Sequence, residues 1–266
     1  MSKTVGGTKE WAASNVNIQI GCSHGCLYCY AMASAVRFGR ADPGDWTTER
    51  IQESLAAKNF GKRKGTIMFP TTHDITPANL EYSVAILKRM LEPGNSVLIV
   101  SKPHIDCISR LCGELWDWKD QVLFRFTIGS MNEATLKFWE PGAPSFEERM
   151  FSLRHAHDSG FATSVSMEPL LELHEDQVVW TVDMLAEYVT DAIWIGKANR
   201  LTERLKRNGH VRSDIMGAAS ALLASQTDAR ILALYERLKD HPKVKWKESI
   251  KSVVGLEIPT EAGLDI

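Results

Sequence analysis

Gly21-Cys22-Ser23-His24-Gly25-Cys26-Leu27-Tyr28-Cys29-Tyr30 is the segment on which the reading of this chain turns. Its cysteines follow the spacing C-x3-C-x2-C, and thiols packed this closely call for a metal. Three thiolates on one short loop can occupy three corners of an iron–sulfur cubane, because the loop can curl around it. Gly21 and Gly25 permit the tight backbone turns that this requires. The fourth iron then lacks a protein ligand, and an open site on a cluster is where a substrate can bind and receive an electron. The alternative is zinc held by the three cysteines plus His24. A structural zinc takes four protein ligands. His24 lies between two of them on a very short loop, which makes tetrahedral closure awkward, and a second cysteine pair at knuckle spacing is absent.

Outward from the loop, short apolar runs alternate with longer helical patterns. Strands are expected at Val16–Ile20, Thr66–Phe69, Ser96–Val100, Val122–Ile128, Ala162–Met167 and Ala192–Ile195. Helices are expected at Thr47–Asn59, Leu80–Leu91, Asp106–Trp118, Ser145–Ser159 and Glu175–Tyr188. Short apolar strands between longer helices imply parallel βα units, with the sheet covered on one or both faces. A barrel or partial barrel and a doubly wound sheet both fit this pattern. From about Leu201 the pattern changes to Leu201–Arg207, Asp214–Ser225 and Ala229–Leu238, all helical, with Val244–Trp246 a candidate short strand. The expected division is therefore a domain over residues 1–200 and a helical appendage over 201–266.

The chain of 266 residues is 44% hydrophobic and 24% charged, values that describe a globular protein with a sizeable core. A net charge of −2 gives no global pull toward nucleic acid or anionic membrane. No apolar run is long enough to span a bilayer, and Met1 to Trp11 lack the apolar core of a signal peptide. A cytoplasmic location with reduced thiols is the expectation, and the five cysteines are not expected to form disulfides. Cys107 and Cys112 fall on one predicted helix without sharing a face and read as buried thiols.

The cysteine spacing is the signature of the radical SAM superfamily. Gly21 to Ala31 resembles one branch of it, the spore photoproduct lyase-like proteins, often labelled DNA repair photolyases. Glu140-Pro141-Gly142-Ala143-Pro144-Ser145, with Glu148-Arg149, is similar to that branch's EP-x-A-P segment and the helix after it. Ile193-Trp194-Ile195-Gly196-Lys197-Ala198-Asn199 is similar to its terminal strand. The resemblance covers about residues 10–200. It implies a partial (β/α)6 TIM-type barrel with a [4Fe–4S] cluster on Cys22, Cys26 and Cys29 at the C-terminal ends of the strands. It further implies S-adenosylmethionine (SAM) as cofactor, cleaved to a 5′-deoxyadenosyl radical that takes hydrogen from a substrate. A flavodoxin or ferredoxin would then be the electron donor.

By the same resemblance, Tyr28 stands where the family contacts adenine. Thr72, His73 and Asp74 stand where it holds the SAM amino group. Lys102 is placed to pair with the SAM carboxylate, and Thr127 and Ser130 to reach ribose or carboxylate. Glu168 and Asn199, at the ends of the last two strands, would face the barrel mouth. Arg149 reads as a structural ion pair. Spore photoproduct lyase carries a cysteine ahead of its Thr-Ser-Asp, where this chain has Thr71. A threonine O–H bond is too strong to return a hydrogen atom, which argues against repair of spore photoproduct. Basic residues at Arg200, Arg204, Lys206, Arg207, His210 and Arg212, and Lys243, Lys245, Lys247 and Lys251 around Trp246, leave a nucleic-acid partner as the weaker reading beside a solvated surface.

Overall fold

The computed structural model describes residues 5–263. The first elements are β1 (Ser14–Asn15), β2 (Gln19–Ile20), α1 (Tyr30–Arg37), β3 (Arg50–Ile51), α2 (Glu53–Ala56), β4 (Ile67–Phe69) and α3 (Leu80–Leu91). They are followed by β5 (Val97–Ser101), α4 (Ile105–Glu114), β6 (Val122–Thr127), α5 (Glu133–Trp139), α6 (Phe146–Asp158), β7 (Ala162–Met167), α7 (Glu175–Ala186) and β8 (Ile193–Ile195). The chain closes with α8 (Leu201–Arg207), α9 (Ser213–Ala224), α10 (Asp228–Leu238), β9 (Val244–Trp246) and α11 (Glu248–Val254). None of the described helices is long and apolar enough to cross a membrane.

Seven strands form one parallel sheet in the order β1-β4-β5-β6-β7-β8-β9. The spatial order follows the chain order, so every crossover steps in the same direction. A doubly wound sheet would reverse direction partway; this one curls toward a barrel and stays open between β1 and β9, which settles the choice that the sequence pattern left open. β9 lies in the segment after Leu201 and is the seventh strand, paired in parallel with β8.

Alternation along each strand divides the sheet into two faces. Phe69, Ile99, Phe124, Phe126, Val165 and Ile193 pack against Ile86, Leu87, Leu111, Leu153, Val182 and other apolar side chains in the main core. The opposite face is the concave interior. There the Arg125 guanidinium lies 4.5 Å from the Trp11 ring and 5.3 Å from the Trp194 ring, donates to Ser164 Oγ at 2.9 Å and pairs with Asp191 at 3.0 Å. This stack of cation on indoles plugs the interior below the site.

The helix boundaries of α3, α6, α8, α9 and α10 fall within a residue or so of the pattern. Ser145 caps α6 by accepting from Glu148 N at 3.1 Å, and Gly160 ends it at φ 76°. Three expectations change. Val16–Ile20 is not one strand, because the chain leaves the sheet after Asn15. Asn17 there accepts from Thr71 N at 2.7 Å and Thr72 N at 2.9 Å, and Gln19–Ile20 pairs antiparallel with Arg50–Ile51. That pairing also consumes the start of the expected Thr47–Asn59 helix and leaves only Glu53–Ala56. Asp106–Trp118 likewise stops at Glu114 and continues as 3-10 turns over Trp116–Gln121.

Candidate active site

The departure of the chain from the sheet after β1 carries the cysteine loop over the C-terminal ends of the strands. Gly21 sits at φ 90°, and a Cβ there would lie 2.1 Å from Thr48 O, so no side chain fits. Cys22 N donates to Trp46 O at 2.8 Å, and Cys29 N to Cys26 O at 3.1 Å. Cys29 also caps α1, its Sγ accepting from Met32 N at 3.4 Å. The loop is strapped from above by the segment after α5. Leu27 N donates to Trp139 O and Gly142 N to His24 O, each at 2.9 Å. A Cβ on Gly142 would meet Ser23 O at 2.3 Å. Asn208, just past α8, donates to Leu27 O and Cys29 O, both at 3.0 Å.

Beneath the strap lies a fully buried ion pair between Glu140 and Arg149. Arg149 also donates to Pro144 O at 2.9 Å and Thr127 O at 3.1 Å, and the Tyr28 hydroxyl donates to Glu140. The cysteine segment and the Glu140–Arg149 segment are therefore one structure, far apart in sequence and joined by buried charge.

A cavity of about 450 Å³ opens at this rim. Cys22, Cys26 and Cys29 face it from the loop, with the Tyr28 ring beside them. Thr72, His73 and Asp74 come from the end of β4, Lys102 from β5 and Thr127 from β6. Glu168 comes from β7 and Asn199 from the segment after β8. Ser130 does not belong with them. It is fully buried, donates to Glu172 Oε1 at 2.7 Å and accepts from Asn132 N at 2.9 Å, so it braces the loop after β6 and does not line the cavity.

Two of the expected residues are heavily committed to the fold. Asp74 Oδ1 accepts from Ser101 Oγ at 3.0 Å and Lys102 N at 2.7 Å. Its Oδ2 lies 2.9 Å from His24 Nδ1 and 3.6 Å from Lys102 Nζ. Burial opposes the Asp74 charge, but Lys102, His24 and these hydrogen bonds hold its pKa well below the carboxylate range. Burial likewise opposes the charge on Lys102, and Asp74 outweighs it, keeping the ammonium protonated. His73 accepts from Ile18 N through Nε2 at 3.2 Å and meets Asp74 O through Nδ1 at 3.0 Å. Those contacts fix a neutral ring with its proton on Nδ1, and burial lowers its pKa to match.

The same geometry bears on the zinc alternative. His24 is fully buried, with Nδ1 2.9 Å from Asp74 Oδ2 and its second ring nitrogen 3.0 Å from His104 Nε2, so both nitrogens already have partners. Among the described residues, the donor atoms grouped within 4.8 Å of one another are those of Cys22, His24 and Asp74, which includes only one of the three cysteines. A single zinc bound by Cys3His needs all four donors that close. A cubane spreads its thiolate ligands over separate irons, so wider spacing suits it. Burial raises the pKa of all three thiols, Cys22 and Cys26 most. A dry wall of thiols whose pKa stays raised even with the Lys102 ammonium acting on Cys26 and Cys29 suits a metal–sulfide unit whose charge converts them to thiolates. The residues present therefore fit a three-cysteine cluster.

Sequence reasoning missed several residues of the cavity. Tyr30 lines it directly after the last cysteine, and its hydroxyl donates to Thr71 O. Trp46, 3% exposed, packs behind Cys22. Lys197 and Arg204 also reach the cavity, and the Arg204 guanidinium lies 5.9 Å from the Tyr30 ring. Position next to Cys29 was a signal for Tyr30; no local pattern marked Arg204. The basic cluster around Trp246 mostly turns inward. Trp246 is 6% exposed, Lys251 is buried, and Lys243 donates to Val189 O at 2.6 Å. Lys247 is buried between Glu10 at 2.8 Å and Glu168 at 3.4 Å. A buried indole cannot stack a base, and these lysines serve the fold.

The pattern of the Radical SAM superfamily matches residues 16–185. A relative of similar sequence is the uncharacterized protein ORF301 of Acidianus two-tailed virus, 29% identical over 172 residues, covering 60% of this chain and 56% of that protein. The chain thus matches just over half the length of that relative. Spore photoproduct lyase complexed with dinucleoside spore photoproduct superposes with a TM-score of 0.57 at 13% identity, covering 92% of this chain and 79% of that one. Streptococcus suis SuiB bound to S-adenosylmethionine gives a TM-score of 0.58 at 10% identity, covering 94% of this chain and 54% of that one. At these identities the structural likeness establishes a shared fold. The chain belongs to the radical SAM superfamily.

Proposed function

We propose that this chain is an enzyme that holds a [4Fe–4S] cluster through Cys22, Cys26 and Cys29 and cleaves SAM reductively to abstract hydrogen from a substrate yet to be identified. The observation that supports the reading is three cysteines lining one cavity, with both nitrogens of His24 already partnered by Asp74 and His104. When bound, the cluster supplies the electron that breaks the S–C5′ bond of SAM, giving methionine and a 5′-deoxyadenosyl radical.

The chain's own residues supply position and dryness. Lys102, kept charged by Asp74, is the cation for the SAM carboxylate. The Tyr28 ring, with its hydroxyl fixed by Glu140, is a rigid face for the adenine. Thr72, Thr127, Glu168 and Asn199 offer hydroxyl, carboxylate and amide groups to the ribose and amino ends. Asp74 and His73 act mainly by holding Lys102 and the loop in place. A flavodoxin or ferredoxin is the proposed electron donor, and Ser130, engaged with Glu172, takes no part in holding the cofactor.

The test is anaerobic reconstitution with iron and sulfide, reduction with dithionite, and assay for 5′-deoxyadenosine. The protein is expected to form it from SAM, and Cys26→Ala to lose both cluster and product. A fully loaded protein that produces none would overturn the proposal.

A further inference from the structure

A second chamber of about 420 Å³ lies beside the main cavity and shares with it a wall of Tyr30, Ala31, Trp46 and Thr72. Nothing in the chemistry proposed above uses it. Its lining carries three cations, Arg40, Lys58 and Arg63, and, among the described residues, no carboxylate. Among the described residues, none of the three is paired with an acid. Arg40 reaches Ser34 Oγ at 3.4 Å and Arg63 reaches Ser14 Oγ at 3.3 Å. Lys58 and Arg63 flank the Phe60 ring at 5.9 and 5.0 Å. An uncompensated positive lining around an aromatic ring suits a ligand that is both anionic and flat.

Another part of the lining suits the flat part. Helix α1 presents Tyr30, Ala31, Ser34 and Ala35 there, so beyond the Tyr30 ring its surface has little side-chain relief. Trp46 stands in the wall, 3% exposed, and its indole Nε1 has no hydrogen-bond partner among the described residues. A buried donor left in this way calls for an acceptor. Gln52 adds an amide that can both donate and accept. The chamber's size falls in the range of small-molecule sites.

The geometry points to this chamber as a binding site for a phosphate-bearing heteroaromatic, a nucleotide or a nucleotide unit, held beside the SAM cavity. The phosphate meets Lys58 and Arg63, and the ring lies between Phe60 and the small-residue face of α1. The inference deepens the proposed function by naming the class of molecule presented to the radical, and so rests on that reading for its catalytic meaning.

The test is equilibrium dialysis of the reconstituted full chain, saturated with SAM so that the main cavity is filled. The probes are AMP, GMP, CMP and UMP, each alone, and a short single-stranded oligonucleotide. At least one mononucleotide is expected to bind one-to-one and to be displaced by inorganic phosphate. Lys58→Gln and Arg63→Gln are each expected to weaken it about tenfold or more. Binding of the oligonucleotide alone, with the same loss in both variants, assigns the ligand as a unit within a polymer. Absence of binding by any probe, or binding unchanged in both variants, overturns the inference. A chain that forms 5′-deoxyadenosine yet binds no nucleotide defeats this inference alone. A chain that binds nucleotide yet cleaves no SAM defeats the proposed function and leaves the site standing.

Discussion

Two buried charge networks frame the cavity, and they are built for different work. On the cysteine side, Glu140 and Arg149 are fully buried, and their partners Tyr28, Pro144 and Thr127 belong to the fold. On the far side, Lys247 sits between Glu10, also buried, and Glu168, whose side chain is 25% exposed and lines the cavity. The first network is closed and clamps the loop that carries the cluster ligands. The second is open at one end and presents a carboxylate to whatever the cavity holds. A buried ion pair adds little net stability over an apolar substitute, so its use is to fix a geometry. The closed network fixes the metal loop; the open one aims Glu168.

Substitutions can separate the two. Arg149→Ala leaves the Glu140 charge buried without its partner, and we expect a loss of about 3–5 kcal/mol in urea denaturation together with loss of iron retention. Lys247→Met is expected to cost less, about 2–3 kcal/mol, because Glu168 can turn to water and Glu10 keeps its hydrogen bond from Glu248 N. Its signature is a raised KM for SAM with iron content kept. Equal stability losses in the two variants, with iron lost from both, would erase the distinction.

His73 offers a pH handle on the cysteine side. Its folded pKa lies below the ordinary 6.5, so the native state favours the neutral ring. Its stabilisation is fully present above about pH 6.5 and is lost as pH falls through the lowered folded value. Thermal melting should therefore weaken on acidification below that point, and His73→Gln should make the slope shallower. Arg212, paired at 2.9 Å with Asp214 on the exposed surface, sets the baseline. Arg212→Ala should leave the melting temperature unchanged within error.

The parts of this molecule legible in the sequence are those that rest on local pattern. The spacing of Cys22, Cys26 and Cys29 implied the metal, and the apolar runs of β4 to β8 implied a parallel sheet. Leu80–Leu91 and the capped Ser145–Ser159 helix were marked by periodicity and by Ser145 and Gly160. What was not legible depends on pairing across the chain. The apolar character of Val16–Ile20 signals a strand, but Asn17 bonds to Thr71 and Thr72 and takes the backbone out of the sheet. Lys247 and Trp246 look like a solvent-facing basic cluster until β9 enters the sheet and Glu10 arrives from the other end of the chain. Ser130 follows a strand end that lines the cavity, and only its bond to the buried Glu172 shows where its hydroxyl points.

The most direct measurement of the central claim is electron paramagnetic resonance of the dithionite-reduced, reconstituted protein before and after SAM is added. If the cysteine loop leaves one iron without a side-chain ligand, the reduced-cluster signal must shift when SAM binds, and Cys26→Ala must show no such signal. A protein with about four irons whose spectrum is indifferent to SAM would mean that a side chain already fills that position, and would contradict the account.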